Sequence, residues 1–218
     1  MKTMSRIWRR SRLAAARLLK DCRGIAATEF AVIVPVMLVM FFGTVEFSTG
    51  VAVFRKVTLV ARTLSDLTGQ AQPDAQPQTS ATIDDTYLQN VFTSTIAMMQ
   101  PYSPTPARAT ISEIYIDSSN VARIQWSKAA TIGSGATQAT LVTSSHNFGD
   151  VVTVPPTLVV GQTYVIFSEV SYLYTPAVGY VMGSAGVTLS DASYTRPRQA
   201  ACVVYNSHPA GPPSCPTP

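Results

Sequence analysis

The sequence predicts an α+β protein: a long N-terminal transmembrane and amphipathic helix, followed by an antiparallel β-sheet domain with one or more helices. Three observations carry this. Ile25–Val45 is apolar, with Glu29 its only charge. From Val53 to Leu67, apolar residues recur at three- and four-residue spacing. Beyond Pro101 the chain breaks into short segments of strand character separated by turn residues. Composition agrees with a membrane-anchored, folded chain. Charged residues make up 13%, against about 25% in an ordinary soluble domain. The 46% hydrophobic content excludes disorder throughout.

The elements follow in chain order. Residues 1–23 hold eight basic residues and one acid, Asp21, a net +7. Residues 24–218 hold eight basic and eleven acidic residues, a net −3. The basic surface therefore sits on a leader, and the mildly acidic body is no partner for nucleic acid. With Ile7, Trp8, Leu13, Leu18 and Leu19 interspersed, the leader suits an anionic lipid surface. From Phe30 to Val45 there are sixteen consecutive uncharged residues. A bilayer needs about 20 mostly apolar residues, which Ile25–Val45 supplies. A buried core helix is the rival reading, and the basic leader disfavours it. Positive charge before the span keeps the N-terminus cytoplasmic and carries the remainder across the membrane. No A-x-A site follows the apolar run, so a cleaved secretory signal is not expected there.

Val53, Phe54, Val57, Val60, Ala61, Leu64 and Leu67 form one stripe, with Arg55, Lys56, Arg62, Thr63 and Asp66 opposite. Gly50 is a weak breaker, at about 1 kcal/mol. A continuous helix from Gly24 to Thr68 would be about 68 Å long. Its stripe would then pack on a domain or on a sister subunit. Residues 69–80, with Pro73 and Pro77, read as a linker. Asp84 precedes a helical stripe of Tyr87, Leu88, Val91, Phe92, Thr95 and Ile96 ending near Pro101. Thr110–Asp117 and Val121–Trp126 flank a Ser118-Ser119-Asn120 turn. Val151–Val154, Thr157–Val160, Thr163–Tyr174, Val187–Tyr194 and Ala200–Tyr205 are the remaining expected strands of one antiparallel sheet. The expected organisation is a leader over 1–24, a membrane helix with amphipathic extension over 25–68, a linker over 69–80 and an exported domain over 81–218.

The chemistry concentrates in Lys20-Asp21-Cys22-Arg23-Gly24-Ile25-Ala26-Ala27-Thr28-Glu29-Phe30, with Pro35 downstream. This stretch resembles the cleavage site of type IV prepilins, and most closely the TadE-like pseudopilins of the Tad (Flp-type) pilus system. The resemblance is specific over residues 20–48 and weak across 70–160. It extends more loosely to Tyr164–Tyr174 with the following Thr175-Pro176, and to Arg196-Pro197-Arg198. It implies trimming between Gly24 and Ile25 by a prepilin peptidase, docking through Glu29 and Phe30, and other pilins or pseudopilins as partners. It implies no cofactor.

The physical reading of the site stands beside this. Cleavage after Gly24 frees an α-amine on Ile25, one helical turn before Glu29. A carboxylate in the apolar zone costs about 2.5–3.5 kcal/mol on insertion scales. An ammonium about 4 Å away offsets this by up to about 4 kcal/mol at an effective dielectric near 20. That amine can be the chain's own or a neighbour's. Alternatively, Glu29 simply sits at headgroup depth near the positive helix end. Pro35 either kinks the helix to fit curved packing or is a tolerated membrane proline. Glu46-Phe47 marks the far interface.

Cys22, Cys202 and Cys215 are the three cysteines, and removal of the leader leaves an even pair. Cys202 and Cys215 are read as a disulfide in an oxidising compartment, worth about 3 kcal/mol in the chain-entropy model. Free thiols are the alternative; a metal site with His208 is disfavoured by its spacing. His146 and His208 sit in loop-like contexts, and no catalytic motif is present. Gly133-Ser134-Gly135 reads as a turn, Asp84-Asp85 as a helix N-terminal pair, and Trp126 with the tyrosines of Thr163–Tyr174 as core.

The expected function is that of a minor pseudopilin: a structural component of Tad pilus assembly, not an enzyme. It would be anchored once in the bacterial inner membrane with its C-terminal domain periplasmic. The alternative is an uncleaved single-pass protein whose exported domain binds a ligand or partner, as an adhesin or sensor does. A third possibility is an imported organellar protein with an Arg-rich leader.

Overall fold

In the computed structural model, residues 23–73, 80–176, 186–205 and 215 are described. The basic residues from Lys2 to Lys20, His208 and half of the expected linker, 74–79, lie outside them. The architecture is α+β. Helix α1 spans Arg23–Gly69 and runs through Pro35. Strand β1 (Ser80–Ile83) leads into helix α2 (Asp85–Met99). Then come β2 (Ala107–Ile116), β3 (Ala122–Thr131), β4 (Thr140–Val142), β5 (Thr163–Tyr174), β6 (Val187–Thr195) and β7 (Cys202–Tyr205). The chain divides into two units after Phe47, so α1 gives its apolar half to the first and its amphipathic half to the second.

Five strands form an antiparallel sheet in the order β4-β3-β2-β5-β6. The β2–β3 hairpin turns where expected. Asn120 takes a positive φ of 63°, and the Asp117 carboxylate accepts the Ser119 and Val121 N–H groups, both at 2.8 Å. A local side-chain bond thus replaces the backbone partners the turn lacks. The expected start of α2 also holds: Asp84 caps it by accepting the Tyr87 N–H at 2.7 Å, satisfying one orphan donor of the first turn.

One sheet face carries the main core. Ala107, Ala109 and Ile111 of β2 and Ile166, Val170 and Tyr172 of β5 lie in one cluster with Val53, Val57, Val60, Ala61 and Leu64 of α1 and Leu88, Phe92 and Met99 of α2. Polar bonds fix the register of α1 on this face. Ser65 Oγ donates to Ser193 Oγ at 3.1 Å, Thr58 Oγ1 donates to the Asp191 carboxylate, and Ser168 Oγ donates to the Ala61 carbonyl. Arg198 closes the end of α1: its N–H reaches the Gly69 carbonyl at 2.8 Å and its guanidinium reaches Asp66 at 2.6 Å. The amphipathic stripe therefore packs on its own domain. Phe54 departs from the expected stripe and stays exposed.

Three strand expectations are corrected. Val151–Val154 makes only an isolated bridge, Arg123 with Val151, and Thr157–Val160 forms no strand; Pro156–Leu158 is a 3-10 turn. Pro155 and Pro156 lack N–H donors, so this segment cannot extend a ladder. It instead covers the second sheet face, where Val154, Val152, Leu158 and Val159 pack on Ile114, Ile116, Ile124, Val165 and Phe167. Third, the Ala200–Tyr205 segment does not join the antiparallel sheet. Its strand, β7, pairs in parallel with β1 in a separate two-stranded sheet, Ala81 opposite Val203.

Candidate functional site

The residues of the candidate site open α1. Arg23 begins the helix, and Gly24, Ile25, Glu29 and Phe30 occupy its first two turns. Thr28 Oγ1 donates to the Ile25 carbonyl at 2.8 Å, fixing the turn that carries Ile25 towards Glu29. A Cβ at Gly24 would meet no neighbouring atom, so this position is open on every side. From Gly24 to Phe47, every residue except Val34 and Glu46 is exposed, and Phe30 is 68% exposed. A helix apolar all round and uncovered is unstable in water; its natural surroundings are lipid or other apolar helices. Thr44 hides its hydroxyl by donating to the Met40 carbonyl at 2.8 Å, as a polar group in lipid must. The helix is long and apolar enough to cross a membrane, which marks single-pass anchoring.

Of the residues singled out in the sequence, the helix therefore groups Gly24, Ile25, Glu29 and Phe30, with Pro35 further along. Cys202 and Cys215 lie in the second unit. Their sulfurs are bonded, with Cα atoms 5.6 Å apart. Cys202 is fully buried beside Tyr115 and Tyr164.

The sequence reading missed two features. His146, taken as a solvated loop residue, meets Glu169 of β5 at 2.6 Å. Beside this pair, an open groove of about 490 Å³ is lined by Arg108, Thr110, Ser145, Ser171 and Ser190. Its groups can hydrogen-bond, but no set of three metal-ligating side chains occurs among the described residues. The other feature is Glu113, fully buried on β2. Strand alternation with Ile111 and Tyr115 would have placed it inward.

Fold and site together define a membrane-anchored protein with one N-terminal apolar helix and an α+β body. Residues 24–64 match the model of the TadE-like protein family, which is the family the cleavage-site stretch resembles. The match begins at Gly24 and covers the apolar helix together with most of the stripe that packs on the sheet. No curated protein and no solved structure matches the chain.

Proposed function

We propose that this chain is a minor pseudopilin of a Tad pilus, trimmed between Gly24 and Ile25 and acting in pilus assembly. The observation that supports this most directly is Gly24-Ile25 followed by Glu29-Phe30 at the head of an exposed apolar helix. A peptidase must unwind the bond it cuts. Gly24 favours this, because glycine has the weakest helix propensity after proline. The new Ile25 ammonium then stands one turn from Glu29, and a lipid-embedded carboxylate is offset by it or by a neighbour's amine. Docking is lateral packing of apolar helices, with this ion pair setting axial register. The leader over 1–24 stays on the cytoplasmic side of the inner membrane, and the body is periplasmic. The peptidase, sister pilins and membrane lipid are the partners.

Mass spectrometry of the chain extracted from membranes tests this. An N-terminus at Ile25 is expected, and Gly24→Ala should block trimming. An intact Met1 would replace the reading with an uncleaved single-pass protein whose exported domain binds a ligand or partner. A cut elsewhere in the leader would replace it with an imported organellar protein.

A further inference from the structure

Glu113 is the one fully buried ionisable side chain among the described residues, and it lies beneath the last strand. Its Oε1 accepts the Val203 N–H at 2.6 Å. The Val203 carbonyl accepts the Trp126 indole N–H, also at 2.6 Å. Trp126 is the register partner of Glu113 across the β2–β3 hairpin, just before the ladder slips at Glu113/Ile114. The N–H and C=O of one strand residue leave on the same side of the strand. Two side chains of the large sheet thus do for β7 at Val203 what a neighbouring strand would do. On its other edge β7 has β1, which pairs with no other strand. The small sheet is therefore clasped to the large one at Val203.

The other oxygen of Glu113, Oε2, is buried with no hydrogen-bond partner. The groups around it are Trp126, the mutually tilted Tyr115 and Tyr164 rings with centroids 4.8 Å apart, and Cys202 in its disulfide. Among the described residues, none of these supplies a positive charge. Burial is the largest influence and pushes the Glu113 carboxyl up to about 8, against the opposing bonds from Val203 and Trp126. Half-buried Tyr205 at the end of β7 donates to Asp85 of α2 at 2.6 Å, and Lys128 of β3 lies over its ring. Asp85 is held below the usual carboxylate range, first by the Tyr205 bond, while Tyr205 and Lys128 are raised above their already alkaline values. None of these three changes charge near neutrality.

We propose that Glu113 is a pH-sensitive clasp on the C-terminal strand: protonated, it holds β7 on the large sheet, and ionised, it releases β7 together with β1. A buried carboxylate with no counter-ion is relieved only when water reaches it. Lifting β7 admits that water, and the Cys202–Cys215 bond keeps the released strand tied to the tail. The clasp does not depend on the pilus reading and is tested separately from it.

The test is amide hydrogen exchange of the full chain in neutral detergent micelles from pH 6 to 9.5, after correction for the intrinsic rate. Protection at 202–205 and at β1 should fall by up to about tenfold per pH unit as pH rises towards the Glu113 transition, level off above it, and stay below that of α2 throughout. Glu113→Gln should remove the pH dependence. Should that variant not fold, Trp126 quenching by acrylamide in a Trp8→Phe chain that keeps Glu113 gives the same answer, rising over the same range. Protection at 202–205 that does not change with pH would overturn the clasp. So would protection at 202–205 no lower than that of α2, a Glu113→Gln chain that keeps the transition, or quenching that stays flat.

Discussion

Leu64→Ala tests whether the lower half of α1 belongs to the core of the domain. Leu64 is fully buried in the cluster that joins α1 to β5 and α2. Truncating a buried leucine costs about 2–5 kcal/mol, depending on how far the site collapses. Here collapse is opposed. Ser65 is bonded to Ser193, Thr58 to Asp191, and Ser168 to the Ala61 carbonyl, so the helix is pinned on both sides of the new void. The upper half of the range, about 3–5 kcal/mol, is expected. Leu59→Ala on the opposite side of the helix is the control; Leu59 is 47% exposed, and its loss should stay within about 1 kcal/mol. Urea unfolding in micelles, followed by Trp126 fluorescence in a Trp8→Phe background, reads both. With a slope of about 2 kcal/mol per molar, the Leu64→Ala midpoint should fall by about 1.5–2.5 M. Equal midpoints for the two variants would refute the packing, because the stripe would then carry no domain stability.

Three further outcomes follow from the site and the core. Glu29→Ala should lower the yield of sheared pili while leaving the chain in the membrane fraction; normal piliation would remove Glu29 from docking. Replacing Cys202 and Cys215 by serine should cost about 3 kcal/mol, a melting point lower by about 6–12 °C; a melting point unmoved by the double substitution would contradict this. Stability should also depend on pH through Glu113. Its folded carboxyl titrates at about 8 against an ordinary 4.5, so the folded state binds the extra proton. The contribution is fully present below about 4.5 and is lost as pH rises towards about 8, at up to about 1.4 kcal/mol per unit. Denaturant midpoints measured across that window should slope in the wild type and lie flat in Glu113→Gln.

The legible parts of the fold share one property: their signal is local. Sixteen uncharged residues, a stripe from Val53 to Leu64 and the Asp84 cap each declare themselves within a few turns. Thr163–Tyr174 was readable with its bounds because a strand buried on both faces is apolar and aromatic along most of its length. The Glu29-Phe30 stretch stands out in the sequence for the same reason, being contiguous, and its docking role is a proposal. Val151–Val160 misled because valines beside prolines mimic strands, while covering the second sheet face needs apolar side chains and no ladder. His146 was unreadable as a bridge because Glu169 lies 23 residues away.

By itself the sequence determined that this chain has a basic N-terminal stretch, an apolar helix with an acid near its start, an amphipathic continuation, and a β-rich body. These follow from period and charge, which act over neighbouring residues. Only the tertiary structure decided which surface the amphipathic stripe covers, that β7 pairs in parallel with β1 across more than a hundred residues, and that Glu113 is fully buried beneath β7. Those outcomes depend on how distant segments divide a shared core and its hydrogen bonds, and no local pattern encodes that division.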